Sequence, residues 1–309
     1  MSILLAVILP VFLVIGAGFA AAKRGVISEA GIDGLMRFAQ GFAIPCLLFQ
    51  AMATLDLREN FDLRLVGTFY AGSFTCFVIG MTGARYLFGR PWEDAVAIGF
   101  IALFSNSLLL GLPITERAFG PDATEANFAI IAVHSPFCYA VGITAMEIAR
   151  AHGAPARSIP GKVLRAMFSN ALIVGIALGL VVNLSGLPLP AVVAEALDLL
   201  IRAALPAALF GLGGVIARYR IEGDLPTILF TLSLSLFLHP AIAWGLGTFA
   251  GLPRDEFRSV VVTAAMAPGA NAYLFASMYG RATRVAASCV LLGTALSVGT
   301  AAVWLAWLS

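Results

Sequence analysis

The charged residues of this chain are confined to short clusters, and the stretches between the clusters are apolar. A helix needs about 20 mostly apolar residues to cross a bilayer core, and nine of the ten charge-free stretches are close to that length or longer. The exception, 203–217, reaches it by including Glu195, Asp198 and Arg202. We therefore predict an all-α integral membrane protein with ten transmembrane helices, numbered here as segments one to ten: 1–22, 38–55, 65–84, 95–115, 126–146, 166–194, 203–217, 225–253, 259–280 and 285–309.

The composition supports a membrane protein and argues against several other classes. Hydrophobic residues make up 60% of the 309 residues, charged residues make up 12%, and the mean hydropathy is +0.95. A net charge of +2 gives no indication of nucleic-acid binding. The four cysteines are dispersed, and the sequence has no HExxH, no GxSxG and no convincing cofactor pattern. We therefore expect no enzyme activity, no cofactor and no metal site.

Basic residues are distributed unevenly between the loops. The loops after odd-numbered segments hold twelve Lys and Arg residues, and the loops after even-numbered segments hold five. Because basic loops stay on the cytoplasmic side, we predict that the odd-numbered loops are cytoplasmic and that both termini face outward. Segment one leads into Lys23 and Arg24 rather than into a small-residue cleavage site, so it is predicted to be a membrane helix and not a cleaved signal peptide.

The two halves of the chain are related in sequence. Residues 1–150 and 163–309 are predicted to be two five-segment repeats joined by a cytoplasmic loop, 151–162. Because each repeat has an odd number of segments, the repeats are inverted in the membrane, as in many secondary transporters. At one constant offset along the chain the same residue type recurs in four pairs: Gly18 and Gly179, Gly25 and Gly186, Pro45 and Pro206, Phe49 and Phe210.

Segments four and nine carry helix-breaking residues near their middles, at corresponding positions of the two repeats. Unwound backbone within a membrane is tolerated only beside a cavity or other protein, so paired breaks indicate a binding site. Pro268 and Gly269 adjoin each other in segment nine, which is therefore predicted to be the more sharply broken. The predicted substrate-binding residues are Ser105, Asn106, Ser107, Pro268, Gly269 and Asn271. The predicted hinge residues are Gly111 and Pro113.

These breaks have a chemistry suited to anions. The freed amides and the positive N-terminal end of a half-helix can hold an anion. Asn106 and Asn271 add neutral amide donors, which bind a carboxylate without trapping it as a fixed cation does. The alternative is a proline kink with asparagines that hold neighbouring helices together.

Three motifs resemble one known family. They are the run Ile44-Pro45-Cys46-Leu47-Leu48-Phe49, the stretch 106–113 with its Gly111-Leu112-Pro113-Ile114 end, and the stretch 264–273. With these motifs the whole chain resembles the bacterial branch of the auxin efflux carrier family, which includes malonate- and malate-permease-like proteins and is related to the plant PIN auxin exporters.

The resemblance implies a fold like that of sodium/proton antiporters and bile-acid transporters. Segments one, two, six and seven would form a scaffold and segments three to five and eight to ten a transport domain, with the broken segments four and nine crossing at the substrate site. It further implies elevator-type motion, a homodimer formed through segments two and seven, and a location in the bacterial inner (cytoplasmic) membrane.

Three ionisable residues within the segments are candidates for proton or ion coupling. His134 and His239 each lie one or two residues before a proline. The alternative for each is a neutral histidine that bonds a carbonyl freed by that proline. The alternative for Asp198 is an interfacial ion pair with Arg202 or a dimer contact. Arg37 is expected to pair with nearby Asp33.

The sequence thus predicts a secondary active transporter of small organic anions, either mono- or dicarboxylates. Malonate, malate and auxin-like acids are the candidates that the resemblance implies. The alternative class is a solute-binding membrane sensor or channel that does not concentrate its solute.

Overall fold

The computed structural model describes residues 4–55, 62–150, 171–186, 188–222 and 224–308, together with Gly161 and Arg165. Within these ranges every regular element is a helix, so the prediction of an all-α chain is confirmed. The α-helices of the first half are Leu9–Lys23, Glu29–Phe38, Ile44–Thr54, Leu63–Tyr86, Trp92–Leu103, Leu112–Phe119 and Thr124–Arg150. Those of the second half are Ala171–Ser185, Ala191–Ile216, Leu225–Ser233, His239–Phe249, Arg254–Ala264, Ala270–Tyr279 and Thr283–Leu308. The predicted loop 151–162, apart from Gly161, lies outside the described residues.

Seven helical stretches of the described chain are long and apolar enough to cross a membrane, and the protein is a multi-pass membrane protein. They correspond to segments one, two, three, five, seven, eight and ten. Segment six is the shorter apolar helix Ala171–Ser185. It ends well before the predicted boundary at 194, because Gly186 has a positive φ of 66° and Pro190 caps the next helix. Segments four and nine are each divided into two shorter helices.

Four of the prolines within the segments are accommodated by widened helical turns. A proline has no N–H, and its ring clashes with the carbonyl four residues earlier. In segment two a π-type turn shifts the N–H of Ile44 to the Ala39 carbonyl, five residues back, which makes room for the ring of the next residue. Four such turns each end two residues before a proline: Pro10, Pro45, Pro113 and Pro240.

The helices form two groups by their packing. Segment one packs on segment seven, and segment six packs on the second half of segment two. Segment three packs mainly on the first half of segment four, and segments five and eight to ten complete that second group around the two breaks. Contacts between the groups are sparse by comparison.

Two glycines allow the backbones of the first group to touch. A Cβ on Gly18 would overlap the carbonyl of Phe210, and a Cβ on Gly179 would overlap the carbonyl of Phe49. Small residues permit this close approach of membrane helices. The two contacts are reciprocal, because Gly18 and Gly179, and Phe49 and Phe210, are two of the four residue pairs that recur at one constant offset in the sequence.

The glycines with positive φ also recur between the halves. Each follows the C-terminus of a helix, where a left-handed residue ends the hydrogen-bond ladder and glycine carries no Cβ penalty. In the described residues they form three pairs at almost equal separations in sequence, namely Gly25 and Gly186, Gly89 and Gly251, and Gly120 and Gly280.

Candidate binding site at the paired helix breaks

Both predicted breaks are present as non-helical backbone. Segment four is unwound at 104–106, between the helix Trp92–Leu103 and a π-type turn, Ser107–Gly111. Segment nine is unwound at 265–269. The interruption of segment nine spans five residues against three in segment four, in agreement with the Pro-Gly pair found there.

The two breaks are joined to each other through their backbones. Ser105 and Pro268 form an antiparallel bridge. The N–H of Asn106 donates to the Ala267 carbonyl at 2.8 Å, and the N–H of Gly269 donates to the Phe104 carbonyl at 2.9 Å. In this type of antiparallel pair the two facing residues use neither N–H, so Pro268 occupies a position where its missing donor is not needed. The bridge thereby satisfies two N–H groups and two carbonyls of the unwound backbone away from water.

Asn106 leaves one half of its amide unused. Its side-chain Oδ1 accepts from the N–H of Leu109 at 3.3 Å, which caps the second half-helix of segment four. Its carbonyl accepts from the N–H groups of Leu110 and Gly111. Its Nδ2 is buried and has no hydrogen-bond partner in the described part of the chain. A buried donor without a partner is destabilising by about 1–3 kcal/mol, so this group is suited to an acceptor brought by a ligand.

His134 fixes the first break from segment five. Its Nε2 lies 3.1 Å from the Ser105 carbonyl, and because a carbonyl only accepts, Nε2 must carry the proton. The hydroxyls of Ser105 and Ser107 bond each other at 2.8 Å. His134 is buried, and its ring meets that of Phe104 edge to face at 4.5 Å between centroids. The histidine therefore holds the backbone of the break in place.

A cavity of about 50 Å³ lies against both breaks. We call it the inner cavity. Its polar lining comes mainly from Asn106, Asn271, His134 and the serines next to Asn106 and His134. Segments two and six contribute the apolar side chains of Ile44, Leu48, Leu172 and Ile176.

Both second half-helices begin at the inner cavity. One begins at Ser107 and the other at Ala270, and both residues line the cavity. The N-terminal end of a helix carries partial positive charge and unsatisfied N–H groups. The described lining contains no Asp, Glu, Lys or Arg, so these amides and the polar side chains dominate its electrostatics.

The structure brings together most of the predicted site residues and separates others. Ser105, Asn106, Ser107, Gly269 and Asn271 line the inner cavity, whereas Pro268 contributes through the bridge.

The two predicted hinge residues lie away from the unwound backbone. Gly111 ends the π-type turn and packs against Thr263 of segment nine. Pro113 lies in the first turn of the helix Leu112–Phe119.

The remaining ionisable candidates lie outside the inner cavity lining. His239 has its Nε2 3.2 Å from the Phe69 carbonyl of segment three, so this nitrogen also carries the proton. The alternative that each histidine bonds a carbonyl freed by its own proline is wrong, because the two acceptors belong to segments four and three. Asp198 accepts from the Nε2 of Gln50 at 3.0 Å.

Two expected ion pairs are not formed in the described residues. Asp198 makes no ion pair with Arg202, because its carboxylate is turned toward Gln50 on segment two. Arg37 reaches only the backbone carbonyl of Asp33, since the Asp33 carboxylate pairs with Arg218 at 2.8 Å.

The lining residues on segments two and six were not predicted from the sequence. Gln40 lines the inner cavity from the widened turn of segment two, beside Ile44 and Leu48. A polar signal was available, because Gln40 and Gln50 are the amides of the charge-free run 38–55. The aliphatic residues gave no such signal, since cavity-lining and lipid-facing leucines look alike in sequence.

Comparison with known proteins identifies relatives along nearly the whole chain. Residues 3–305 match the profile of the family described as "Membrane transport protein". A "Putative malonate transporter" of Rhizobium meliloti (strain 1021) is 23% identical over 299 residues, which cover 95% of this chain and 92% of the relative. An "Uncharacterized transporter" of Methanothermobacter thermautotrophicus is 24% identical over 307 residues and 96% of both chains. The "Uncharacterized transporter YfdV" of Escherichia coli (strain K12) is 22% identical, over 96% of this chain and 95% of the relative.

Proposed function

The chain belongs to the auxin efflux carrier family of membrane transport proteins, a family of transporters and not of enzymes, and from this premise we propose that it is a secondary active transporter of small organic anions. The observation that carries the proposal is the buried, unpartnered Nδ2 of Asn106, which belongs to a residue lining the inner cavity. A carboxylate there would accept the hydrogen bond that this amide lacks. It would also lie beside the positive ends of two half-helices.

The chemistry of the inner cavity favours reversible binding. Its donors are neutral amides, hydroxyls and backbone N–H groups, which stabilise a carboxylate while allowing it to leave. The apolar wall of Ile44, Leu48 and Ile176 suits the hydrocarbon part of an organic acid. Mono- and dicarboxylates both remain within the proposal, and one relative bears the name of a malonate transporter.

Alternating access between two domains is the proposed mechanism. The transport domain would be segments three to five and eight to ten, and the scaffold would be segments one, two, six and seven. Two features support ten spans arranged as inverted repeats. One is the reciprocal pair of contacts made by Gly18 and Gly179, and the other is the recurrence of helix-ending glycines at nearly the same offset. The sparse contacts between the two helix groups suit an elevator-type movement of one against the other.

Several further features belong to this proposal. The protein would lie in the bacterial inner membrane with both termini outside, following the distribution of basic loops. It would form a homodimer through segments two and seven. His134, at the first break, is the best placed of the three coupling candidates, whereas His239 and Asp198 lie outside the inner cavity lining.

A thermal-shift screen of the purified protein tests the ligand class. Malonate, malate and indole-acetate, with and without sodium and across pH, are the carboxylates to compare. The proposal expects at least one of them to raise the melting temperature in a saturable manner. A shift seen equally with neutral analogues of the same acids would contradict recognition of the carboxylate.

A solute-binding sensor or channel is the competing class. Flux through purified protein in liposomes separates the classes, because a carrier saturates and a coupled carrier accumulates solute against its gradient. Unsaturable flux that follows the gradient alone identifies a channel, and binding without any flux identifies a sensor.

A further inference from the structure

A second and larger cavity, of about 890 Å³, adjoins the inner cavity. We call it the vestibule. Its mouth is formed by exposed residues, among them Asp33 and Arg37 of the helix Glu29–Phe38, which leads into segment two, and Met278 near the end of segment nine. By the distribution of basic loops, both of these helix ends lie on the cytoplasmic side.

Three residues line both cavities and so connect them. They are Gln40, Leu172 and Asn271, from segments two, six and nine. Asn271 also belongs to the half-helix that begins at the second break. These three side chains therefore lie at the boundary between the vestibule and the inner cavity.

One face of segment two changes its chemistry along this path. Asp33, Arg37, Gln40, Ile44 and Leu48 follow at helical spacing, and each lines one or both of the cavities. The face is charged at the mouth, carries an amide at the connection and is aliphatic beside the breaks.

Arg37 is a cation without a carboxylate partner in the described chain. The carboxylate of Asp33 is taken by Arg218 at 2.8 Å, and Arg218 also donates to the backbone carbonyl of Glu29. Arg37 donates through Nε to the backbone carbonyl of Asp33 at 3.3 Å. With the Asp33 carboxylate paired to Arg218, Arg37 is a cation of the described vestibule lining that no carboxylate partner compensates.

We propose that the vestibule is an anion-recruiting site centred on Arg37, which gathers carboxylates at the cytoplasmic mouth before they pass Gln40 to the inner cavity. A positive charge in a cleft with low-dielectric walls concentrates anions and speeds their entry. A guanidinium also pairs with a carboxylate through two parallel hydrogen bonds. Recruitment and binding are thus separate steps, since the charge of Arg37 attracts anions at the mouth and the neutral donors bind them at the breaks.

Cysteine labelling measures the vestibule's potential without any need for transport. Met278→Cys places a thiol on the exposed vestibule wall, in a Cys46→Ser background, since the other three cysteines are buried. The rates of labelling by an anionic sulfonatoethyl methanethiosulfonate and by its cationic trimethylammonium analogue are then compared. Arg37→Gln should lower the anionic-to-cationic rate ratio about three- to fivefold, and this difference should shrink in high salt.

Arg24→Gln is the matched control, because Arg24 is also exposed at a cytoplasmic helix end but does not line the vestibule. It should leave the ratio unchanged. Leu274→Cys, exposed on the same helix, is a second reporter if the first variant fails to insert. An equal ratio with and without Arg37 overturns the proposal.

The proposal rests on the proposed function, and the two can fail separately. A protein that transports saturably but labels independently of Arg37 contradicts the vestibule site alone. A protein that shows the Arg37-dependent ratio but moves no carboxylate contradicts the transporter.

Discussion

The backbone N–H of Asn106 donates to the carbonyl of Ala267 at 2.8 Å, and this bond joins the unwound middle of segment four to that of segment nine. Two breaks that lie in opposite halves of the sequence are thus one structural unit, with Ser105 and Pro268 bridged between them. The bridge leaves the Asn106 side chain in the lining of the inner cavity.

Substitutions of Asn106 separate ligand binding from helix capping. Asn106→Ala removes both the free Nδ2 donor and the cap on Leu109, whereas Asn106→Asp keeps a capping oxygen and replaces the donor by a negative oxygen. Loss of a hydrogen bond to a charged ligand is worth about 2 kcal/mol, so Asn106→Ala should raise the Kd for a carboxylate roughly thirtyfold. Asn106→Asp should bind more weakly still. Calorimetric titration measures both, and an unchanged Kd in Asn106→Asp removes this residue from the site.

His134 offers a conservative and a disruptive replacement. A glutamine side chain can donate to the Ser105 carbonyl as Nε2 does, and a phenylalanine side chain cannot. His134→Gln should therefore keep carboxylate affinity within about threefold, and His134→Phe should lose roughly tenfold because the first break shifts. If transport is coupled to protons through this residue, His134→Gln should bind normally but lose the pH gradient as a driving force. Equal affinity in the two variants would show that the carbonyl contact does not shape the site.

The close approach of segments one and seven makes Gly18 sensitive to size. A Cβ there overlaps the Phe210 carbonyl, whereas a Cβ on Gly16, on another face of the same helix, would meet open space. Gly18→Ala should destabilise the purified protein by about 1–3 kcal/mol, and Gly16→Ala should be neutral. Gly179→Ala should behave like Gly18→Ala, because its contact with Phe49 is the reciprocal one. Thermal melting in detergent checks all three, and equal melting of the Gly16 and Gly18 variants would contradict the packing.

Asn183 of segment six caps the C-terminal end of the helix in segment two. Its Nδ2 donates to the carbonyl of Met52 at 2.9 Å, in the last turn of the helix Ile44–Thr54, where carbonyls lack partners within the helix, and to that of Leu55 at 2.7 Å, just after the helix. Asn183→Ala should lower stability by about 1–3 kcal/mol and leave carboxylate affinity unchanged. This is the opposite signature to that of Asn106→Asp, so the two asparagines serve as controls for each other. A change in Kd with no change in melting temperature would reverse these roles.

Much of this architecture was readable from the sequence, and the gaps have physical causes. Charge-free runs gave the apolar segments, because a charge within a bilayer is strongly disfavoured. The Pro268-Gly269 pair correctly predicted the break in segment nine. The break in segment four lies at 104–106 and does not extend to Gly111 and Pro113, because both residues lie in helical backbone once a π-type turn admits the proline ring.

The contacts across segments could not be predicted in the same way. The sequence placed Asp33 close to Arg37, but it gave no sign that Arg218, far along the chain, would take the Asp33 carboxylate. The role of Gln40 was not predicted, because it depends on which face of segment two meets the breaks. Which side chains meet across segments depends on tertiary packing, and the apolar periodicity of a single sequence does not specify that packing.

Concentrative uptake by the purified protein in liposomes tests the central claim most directly. A labelled carboxylate that stabilises the protein is supplied outside, with a proton or sodium gradient imposed, and wild type is compared with Asn106→Asp. Wild type should accumulate the carboxylate saturably above the outside concentration, and Asn106→Asp should not, with equal amounts of inserted protein. Equal accumulation by the two proteins, or flux in wild type that never saturates, would contradict it.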